Sequence, residues 1–229
     1  MHRRALREFV RPGDRVLEAG AGPGRFTLEL AGIGARVVVG DISPAQLALH
    51  REKTASVEAS VERRLLLDIV DLGAFRDGEF DAVVCYGGPL SYVLGEADRA
   101  LAELLRVTRP GGLVLLSVMS LLGSLRAFSS YLPDLIEEFG WQRAVADVVE
   151  TGDLPADVNN GHVCRMYRWS DLQALLGRHP CRVVAASAAN FLSVNEAWDD
   201  RFLEIELAAC REPGALDGGT HILAVVERA

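Results

Sequence analysis

The chain has 229 residues, 49% of them hydrophobic, and a formal net charge of -8 at pH 7. That length fits one large α/β domain, or a core domain with a covering insertion, and the apolar fraction is enough for a sizeable buried core. The acidic balance, with no long basic run, argues against a protein that holds nucleic acid through its phosphates, so no nucleic-acid partner is expected.

No apolar run approaches the ~20 residues needed to cross a bilayer. The opening MHRRALREFVRPGD lacks the apolar stretch of a signal peptide, which predicts a cytoplasmic protein with no membrane contact. Cys85, Cys164, Cys181 and Cys210 are scattered without a C-x-x-C pair, so they read as reduced thiols; neither a disulfide framework nor a metal site is predicted.

In chain order, Arg3 to Val10 is a short helix ended by Pro12-Gly13, and Arg15 to Ala19 a first strand. Gly20-Ala21-Gly22-Pro23-Gly24 can hardly form regular structure; after it an apolar pattern resumes at helical spacing, from Phe26 to about Ala31. Glycines at alternate positions remove Cβ atoms from a sharp turn and let a ligand approach. The helix behind them aims free N–H groups at the turn and favours an anionic or hydrogen-bond-accepting group. The spacing is not the G-x-G-x-x-G of a dinucleotide site, because the third glycine comes one residue early and Arg25 stands in its place.

Arg36 to Val39 reads as a second strand ending in Gly40-Asp41. Ser43-Pro44-Ala45-Gln46 has capping-box spacing with proline at the first helical position, so a helix runs from there into the fifties. Leu65 to Leu67 is a third strand, ended by Asp68-Ile69, and Phe80 to Cys85 a fourth, ended by Tyr86-Gly87-Gly88-Pro89. A helix with Ala97, Leu101, Leu104, Leu105 and Thr108 on one face is stopped by Pro110-Gly111-Gly112, and Leu113 to Val118 is strand five. Strands alternating with helices over a hundred residues predict a parallel, doubly wound sheet.

After Ser120 the rhythm breaks, and 121–163 reads as an inserted helical cap within a single domain spanning 1–229. The pattern resumes with a helix at Trp169 to Leu176, a strand at Arg182 to Ala186, a helix at Asn195 to Cys210 and a last strand at His221 to Val226.

These motifs resemble those of the class I S-adenosylmethionine-dependent methyltransferases. VLEAGAGPG is similar to the family's first motif, VVVGDIS to the second-strand motif, LLLDI to the third, FDAVVCYGG to the fourth and LLRVTRPGGLVLLSV to the approach to strand five. They cover about Arg15 to Val118, in the family's order. The resemblance implies a Rossmann-like methyltransferase fold with a mostly parallel seven-stranded sheet. It also implies S-adenosylmethionine as cofactor, with Glu18 holding its amino group directly or through water, and Gly20, Gly22 and Gly24 supplying close backbone. Asp41, followed by Ile42, would accept the ribose hydroxyls; Asp68 would receive the adenine amine while Ile69 packs on the ring. Cys85 and Tyr86 would stand beside the transferable methyl. A nicotinamide-dependent dehydrogenase also wants an acid after strand two, but the short glycine spacing and Asp68 argue against it.

Methyl transfer from a sulfonium needs an in-line nucleophile at about 3 Å and little else. Cys85-Tyr86-Gly87-Gly88-Pro89-Leu90 departs from the acid-or-asparagine, two-proline and aromatic pattern of nucleobase methylation in the family, so a small-molecule acceptor is expected, its atom undetermined. The insertion should roof it, with Phe128, Tyr131, Phe139 and Trp141, followed by Tyr167, Trp169, Phe191 and Trp198. His162 is the candidate base and Tyr86 the second candidate catalytic residue. Methylation of a protein or RNA, and a non-catalytic sensor of the cofactor, are the rival functions; a monomer or homodimer is expected.

Overall fold

The computed structural model describes residues 1–159, 161–192 and 200–229. Its strands are β1 (Arg15–Ala19), β2 (Arg36–Asp41), β3 (Val61–Leu66), β4 (Phe80–Cys85), β5 (Thr108–Met119), β6 (Asp153–Leu154), β7 (Cys164–Arg165), β8 (Cys181–Ala189) and β9 (His221–Arg228). The α-helices are α1 (His2–Phe9), α2 (Arg25–Ile33), α3 (Pro44–Lys53), α4 (Pro89–Tyr92), α5 (Ala97–Val107), α6 (Leu121–Ala127), α7 (Leu132–Phe139), α8 (Asp147–Thr151), α9 (Trp169–Leu176) and α10 (Asp200–Ala209).

Seven strands form one sheet in the order β3-β2-β1-β4-β5-β9-β8, and β6 and β7 form a separate ribbon. β1 pairs in parallel with both β2 and β4, β2 with β3, and β4 with β5; β9 runs antiparallel between β5 and β8. The chain therefore winds outward from β1 to β3 and returns to β4 on the other side of β1. This reversal opens a crevice beyond the carboxyl ends of β1 and β4, where open α/β sheets bind ligands.

Both faces of the sheet are covered, which is why its central strands are apolar without alternation. Leu17, Val38, Val83 and Leu116 point to one side and pack with Leu101 and Leu104 of α5 and Leu172 and Leu176 of α9. Val16, Val37, Val84 and Leu115 point to the other and pack with Leu6 of α1 and Leu30 of α2. Among the described residues no helix is long and apolar enough to cross a membrane.

β3 begins at Val61, four residues before the expected start, because Glu62, Arg63 and Arg64 hide an edge strand from an apolar pattern. β5 begins at Thr108 rather than Leu113: pairing to β4 starts before Pro110-Gly111-Gly112 and shifts register across it, Phe80 facing Thr108 and Ala82 facing Leu113. Asn195 to Asp199 of the helix expected from Asn195, with Trp198, lie outside the described residues.

The 121–163 segment holds α6, α7, a π-helical turn at Gln142–Ala146, α8 and β6, and β6 pairs with β7 just beyond it. Ser120 opens the segment, its hydroxyl accepting from Gly123 N at 3.2 Å and donating to the Asp217 carbonyl at 2.9 Å. Leu121, Val148, Cys164 and Met166 make a small core of their own. Phe128, Tyr131 and Trp141 are exposed.

Phe80 is fully buried, edge-on to Phe75 at 5.0 Å and under the Arg15 guanidinium at 5.1 Å. Phe80→Ala is expected to cost about 3–5 kcal/mol in denaturant unfolding, as emptied aromatic core sites do; a loss below about 1 kcal/mol would mean that this side of the core is not close-packed.

Candidate functional site

The glycine turn leaves β1 and enters α2 with Gly20, Gly22 and Gly24 at φ 79°, 53° and 90°, a region that L side chains rarely adopt. The expected purpose of the three glycines needs correction. A Cβ at Gly20 would overlap the Pro89 ring, and one at Gly24 would overlap Thr54 and His50; only at Gly22 does the missing Cβ leave space, with Gln46 Oε1 4.0 Å away. Two of the glycines admit neighbouring side chains, and one opens the turn.

Beside the turn is a cavity of about 770 Å³, lined from the ends of β1, β2, β3 and β4 and from the segment up to Glu96. Gly20, Gly22, Asp41, Ile42, Asp68, Ile69 and Tyr86 all face it. Asp41 is 7% exposed, and both its oxygens already accept backbone N–H groups, Gly22 N on Oδ2 and Ser43 N on Oδ1, each at 2.8 Å. A carboxylate oxygen can accept more than one donor, so both stay available to a ligand. Ile42 is 67% exposed at the mouth and Ile69 is buried. The exposed Asp68 receives Val70 N at 3.1 Å, which fixes its turn after β3.

Glu18, Gly24, Cys85 and His162 do not line this cavity. Cys85 ends a central strand, so its side chain falls into the core, where burial pushes the thiol up to about 12. His162 is exposed in a loop tied to itself, its N–H donating to the Asn159 carbonyl and its own carbonyl accepting from Asn159 Nδ2, each at 3.0 Å. None of the described residues of 121–163 lines the cavity either; that segment contributes to a second one of about 400 Å³ with Leu94 and Gly95. The expected roof is thus displaced to the far side of the 94–96 turn, since the segment is anchored on its own core.

Tyr86 is buried at the cavity wall, edge-on to the rings of Phe26 at 5.1 Å and His2 at 4.7 Å. Among the described residues its hydroxyl has no partner, and burial raises its pKa, so it stays protonated at neutral pH. Pro89, Tyr92, Val93 and Glu96 complete the wall. Nothing in the residues marked them beforehand except Pro89, at the first position of a helix after two glycines.

Glu18 lies behind the turn, 2% exposed. The Thr27 hydroxyl donates to its Oε2, while Oε1 is buried with no partner among the described residues. Burial lifts the carboxyl to about 8, the Asp41 charge adding to the rise and the hydrogen bonds from Thr27 opposing it. Thr27 also meets His50 Nε2 at 2.7 Å, and His50 is pushed down to about 4 by burial and by the charge of Arg64. Among the described residues no group of three His, Cys, Asp or Glu could hold a metal ion.

With this geometry in view, the similarities to known proteins can be placed on it. Residues 16–112 match a family described as "Methyltransferase domain". That stretch runs from β1 to the start of β5 and carries every strand end around the larger cavity. The chain is 40% identical over 112 residues to a demethylmenaquinone methyltransferase of Mycobacterium marinum, covering 48% of this chain and 44% of that one. It is 33% identical over 109 residues to a malonyl-[acyl-carrier protein] O-methyltransferase of Serratia marcescens, covering 48% and 40%. The aligned stretch thus spans less than half of either relative. A SAM-dependent methyltransferase of Methanosarcina mazei shares the fold over 97% of this chain and 96% of that one, at a TM-score of 0.67 and 17% identity.

Glu18 holds its proton more tightly when folded, about 8 against an ordinary 4.5, so its stabilising contribution is full below 4.5 and is lost as pH rises through about 8. Glu18→Gln removes that dependence. Its melting temperature is expected to exceed the parent's at about pH 9, with the gain shrinking towards about pH 5; a gap that stays constant with pH would show that Glu18 carries its charge in the fold.

Proposed function

Starting from a chain whose residues 16–112 match a methyltransferase domain, we propose that this protein is a class I S-adenosylmethionine-dependent methyltransferase that transfers a methyl group from that cofactor to a small-molecule acceptor. The observation that carries this reading is the convergence of Gly22, Asp41, Asp68-Ile69 and Tyr86 on one cavity at the reversal point of the sheet. Its volume, about 770 Å³, lies within the roughly 300–1,000 Å³ of small-molecule sites.

The residues present suit the cofactor. Asp41 offers two acceptor oxygens to a ribose diol, and they are held in place by Gly22 N and Ser43 N. Asp68 takes the exocyclic amine of adenine, and Ile69 gives the ring an apolar face. Ile42, exposed at the mouth, covers the same nucleoside from outside. Gly20 and Gly22 bring backbone to the methionine part, and Glu18 supplies a buried acceptor for the ammonium. Gly24 and Cys85 shape these walls from behind.

S-adenosylmethionine, when bound, supplies a methyl group already activated by the sulfonium charge. The chain then has only to align an acceptor atom in line with it, at about 3 Å, and to keep water out. Tyr86, protonated and lacking a partner, serves as a hydrogen-bond donor to the acceptor rather than as a base. Any proton displaced from the acceptor leaves to solvent, since His162 lies away from the cavity. The wall of Tyr86, Tyr92 and Val93 favours an acceptor with an apolar body, as the menaquinone-type relative's name also suggests. The described residues of the 121–163 insertion contribute instead to the second cavity, with Leu94 and Gly95.

Calorimetric titration with S-adenosylmethionine, S-adenosylhomocysteine and NAD tests the reading. Both sulfur nucleosides are expected to bind at micromolar level and NAD not at all; binding of NAD alone would overturn it. Asp41→Ala and Asp68→Ala are each expected to weaken the sulfur nucleosides by about tenfold or more, the cost of a lost charged hydrogen bond. Unchanged affinity in both variants would remove the site assignment, and tight binding without transfer to any acceptor would favour a sensor.

A further inference from the structure

The Glu18 carboxyl stands at the end of a hydrogen-bond chain whose direction can be read from its members. Arg64 Nε donates to His50 Nδ1 at 3.0 Å. A guanidinium has no acceptor, so Nδ1 must present its lone pair, and the proton of the neutral ring sits on Nε2. Nε2 lies 2.7 Å from Thr27 Oγ1, which therefore receives the imidazole N–H. The one proton of Thr27 is then committed to Glu18 Oε2. Every bond from Arg64 to Glu18 points the same way.

The start of the chain is clamped. Glu58 takes both arms of Arg64, Nη1 on Oε1 at 2.9 Å and Nη2 on Oε2 at 2.6 Å. Thr54 accepts from Arg64 Nη2 at 3.0 Å and donates to the His50 carbonyl at 2.7 Å, which holds the end of α3 against β3. Thr27, His50 and Thr54 are fully buried. Gly24 makes room for them, because a Cβ there would occupy the positions of Thr54 and His50. The ionisable groups acting on the Glu18 and His50 end are Asp41, Arg64 and Glu58; burial and the Arg64 charge keep His50 uncharged, against the opposing pull of Glu58 and Asp41.

Apolar side chains could pack α2 against α3 without burying these groups, and a buried acceptor left without a donor is costly. Glu18 Oε1 is such an acceptor, two residues before the cavity-lining Gly20.

We propose that Thr27, His50 and Arg64 are positioning residues for the amino group of the cofactor: they occupy Glu18 Oε2 and fix the carboxyl in one orientation, so that Oε1, giving up its proton to solvent as the ligand enters, becomes the acceptor for an ammonium N–H, directly or through one water. Thr27 is the contact that transmits the orientation, and Arg64 sets its direction. The proposal rests on the methyltransferase reading of the cavity, and it concerns only the methionine end of the ligand.

Two nucleosides separate these roles. S-adenosylhomocysteine carries the amino acid; methylthioadenosine has the same adenosine and sulfur without it. In calorimetric titration of the intact protein, Thr27→Val is expected to weaken S-adenosylhomocysteine by about tenfold, the worth of one charge-assisted hydrogen bond, and to leave methylthioadenosine within about twofold. Thr27→Ser keeps the hydroxyl and restores the parent affinity. Arg64→Met, at the opposite end of the chain, shows the same selective loss in smaller degree and carries the test if Thr27→Val does not fold. Equal loss of both nucleosides would reduce the network to a structural role, and loss of neither would leave Glu18 oriented without it; either result overturns the proposal while the cofactor reading stands. If the parent protein binds neither nucleoside, the cofactor reading falls and the proposal with it.

Discussion

The crowding behind one turn is the constraint on which the rest of the molecule depends. Between Ala19 and Arg25 the backbone must reverse from a central strand into a helix while Pro89 presses on it at Gly20 and Thr54 and His50 press at Gly24. Those contacts come from the segment after β4 and from the end of α3, two parts of the chain that only the parallel crossover brings together. A side chain at either glycine would push them apart. The same turn is tied to β2 through Gly22 N and Asp41, so its shape and the placing of that carboxylate are one structural fact.

Two carboxylates near this turn are kept in opposite conditions. Asp41 accepts two backbone donors at the edge of the cavity. Glu18 is enclosed, its burial outweighing the hydrogen bonds from Thr27, and its carboxyl stays protonated to about pH 8. A sheet with both faces covered makes such enclosure possible: Val16 to Ala19 of β1 are all buried. Bringing a cation to Glu18 would therefore change the charge of the site, whereas hydroxyl donors at Asp41 would not.

How much of this was legible in the residues depends on what each signal measures. β1, β4 and α9 stand at the expected bounds because apolar runs with sharp stops, such as Phe80 to Cys85 before Tyr86-Gly87-Gly88, report burial on both faces. β3 was half missed, since Glu62, Arg63 and Arg64 on an edge strand look like a polar helix end, and β6 and β7 are too short for any periodicity to register. At the cavity, acids at strand ends were readable because their place follows from topology. His50 and Thr54 were not, because a spacing of four on a helix end is what any solvated face shows. His162 failed for the converse reason: a polar, glycine-bounded stretch tells of exposure, and exposure here leads away from the cavity.

The insertion shows how far topology carries a functional argument. Its aromatic residues Phe128, Tyr131 and Trp141 face outward, and its inner residues close on Leu121 and Val148 rather than on the larger cavity. What stands between the two cavities is a short turn: Val93 and Glu96 line one, Leu94 and Gly95 the other. Leu94 holds φ 46°, a conformation costing a branched side chain of order 1 kcal/mol or more, and the structure retains it where the two spaces meet. On the methyltransferase reading, the nucleoside end of the cavity is built from strand ends common to the fold, so discrimination among acceptors falls to the wall from Tyr86 to Glu96. That wall follows β4 directly, and its shape is set by Pro89 seated against Gly20; the turn that would hold the methyl donor also braces the surface that would meet the acceptor.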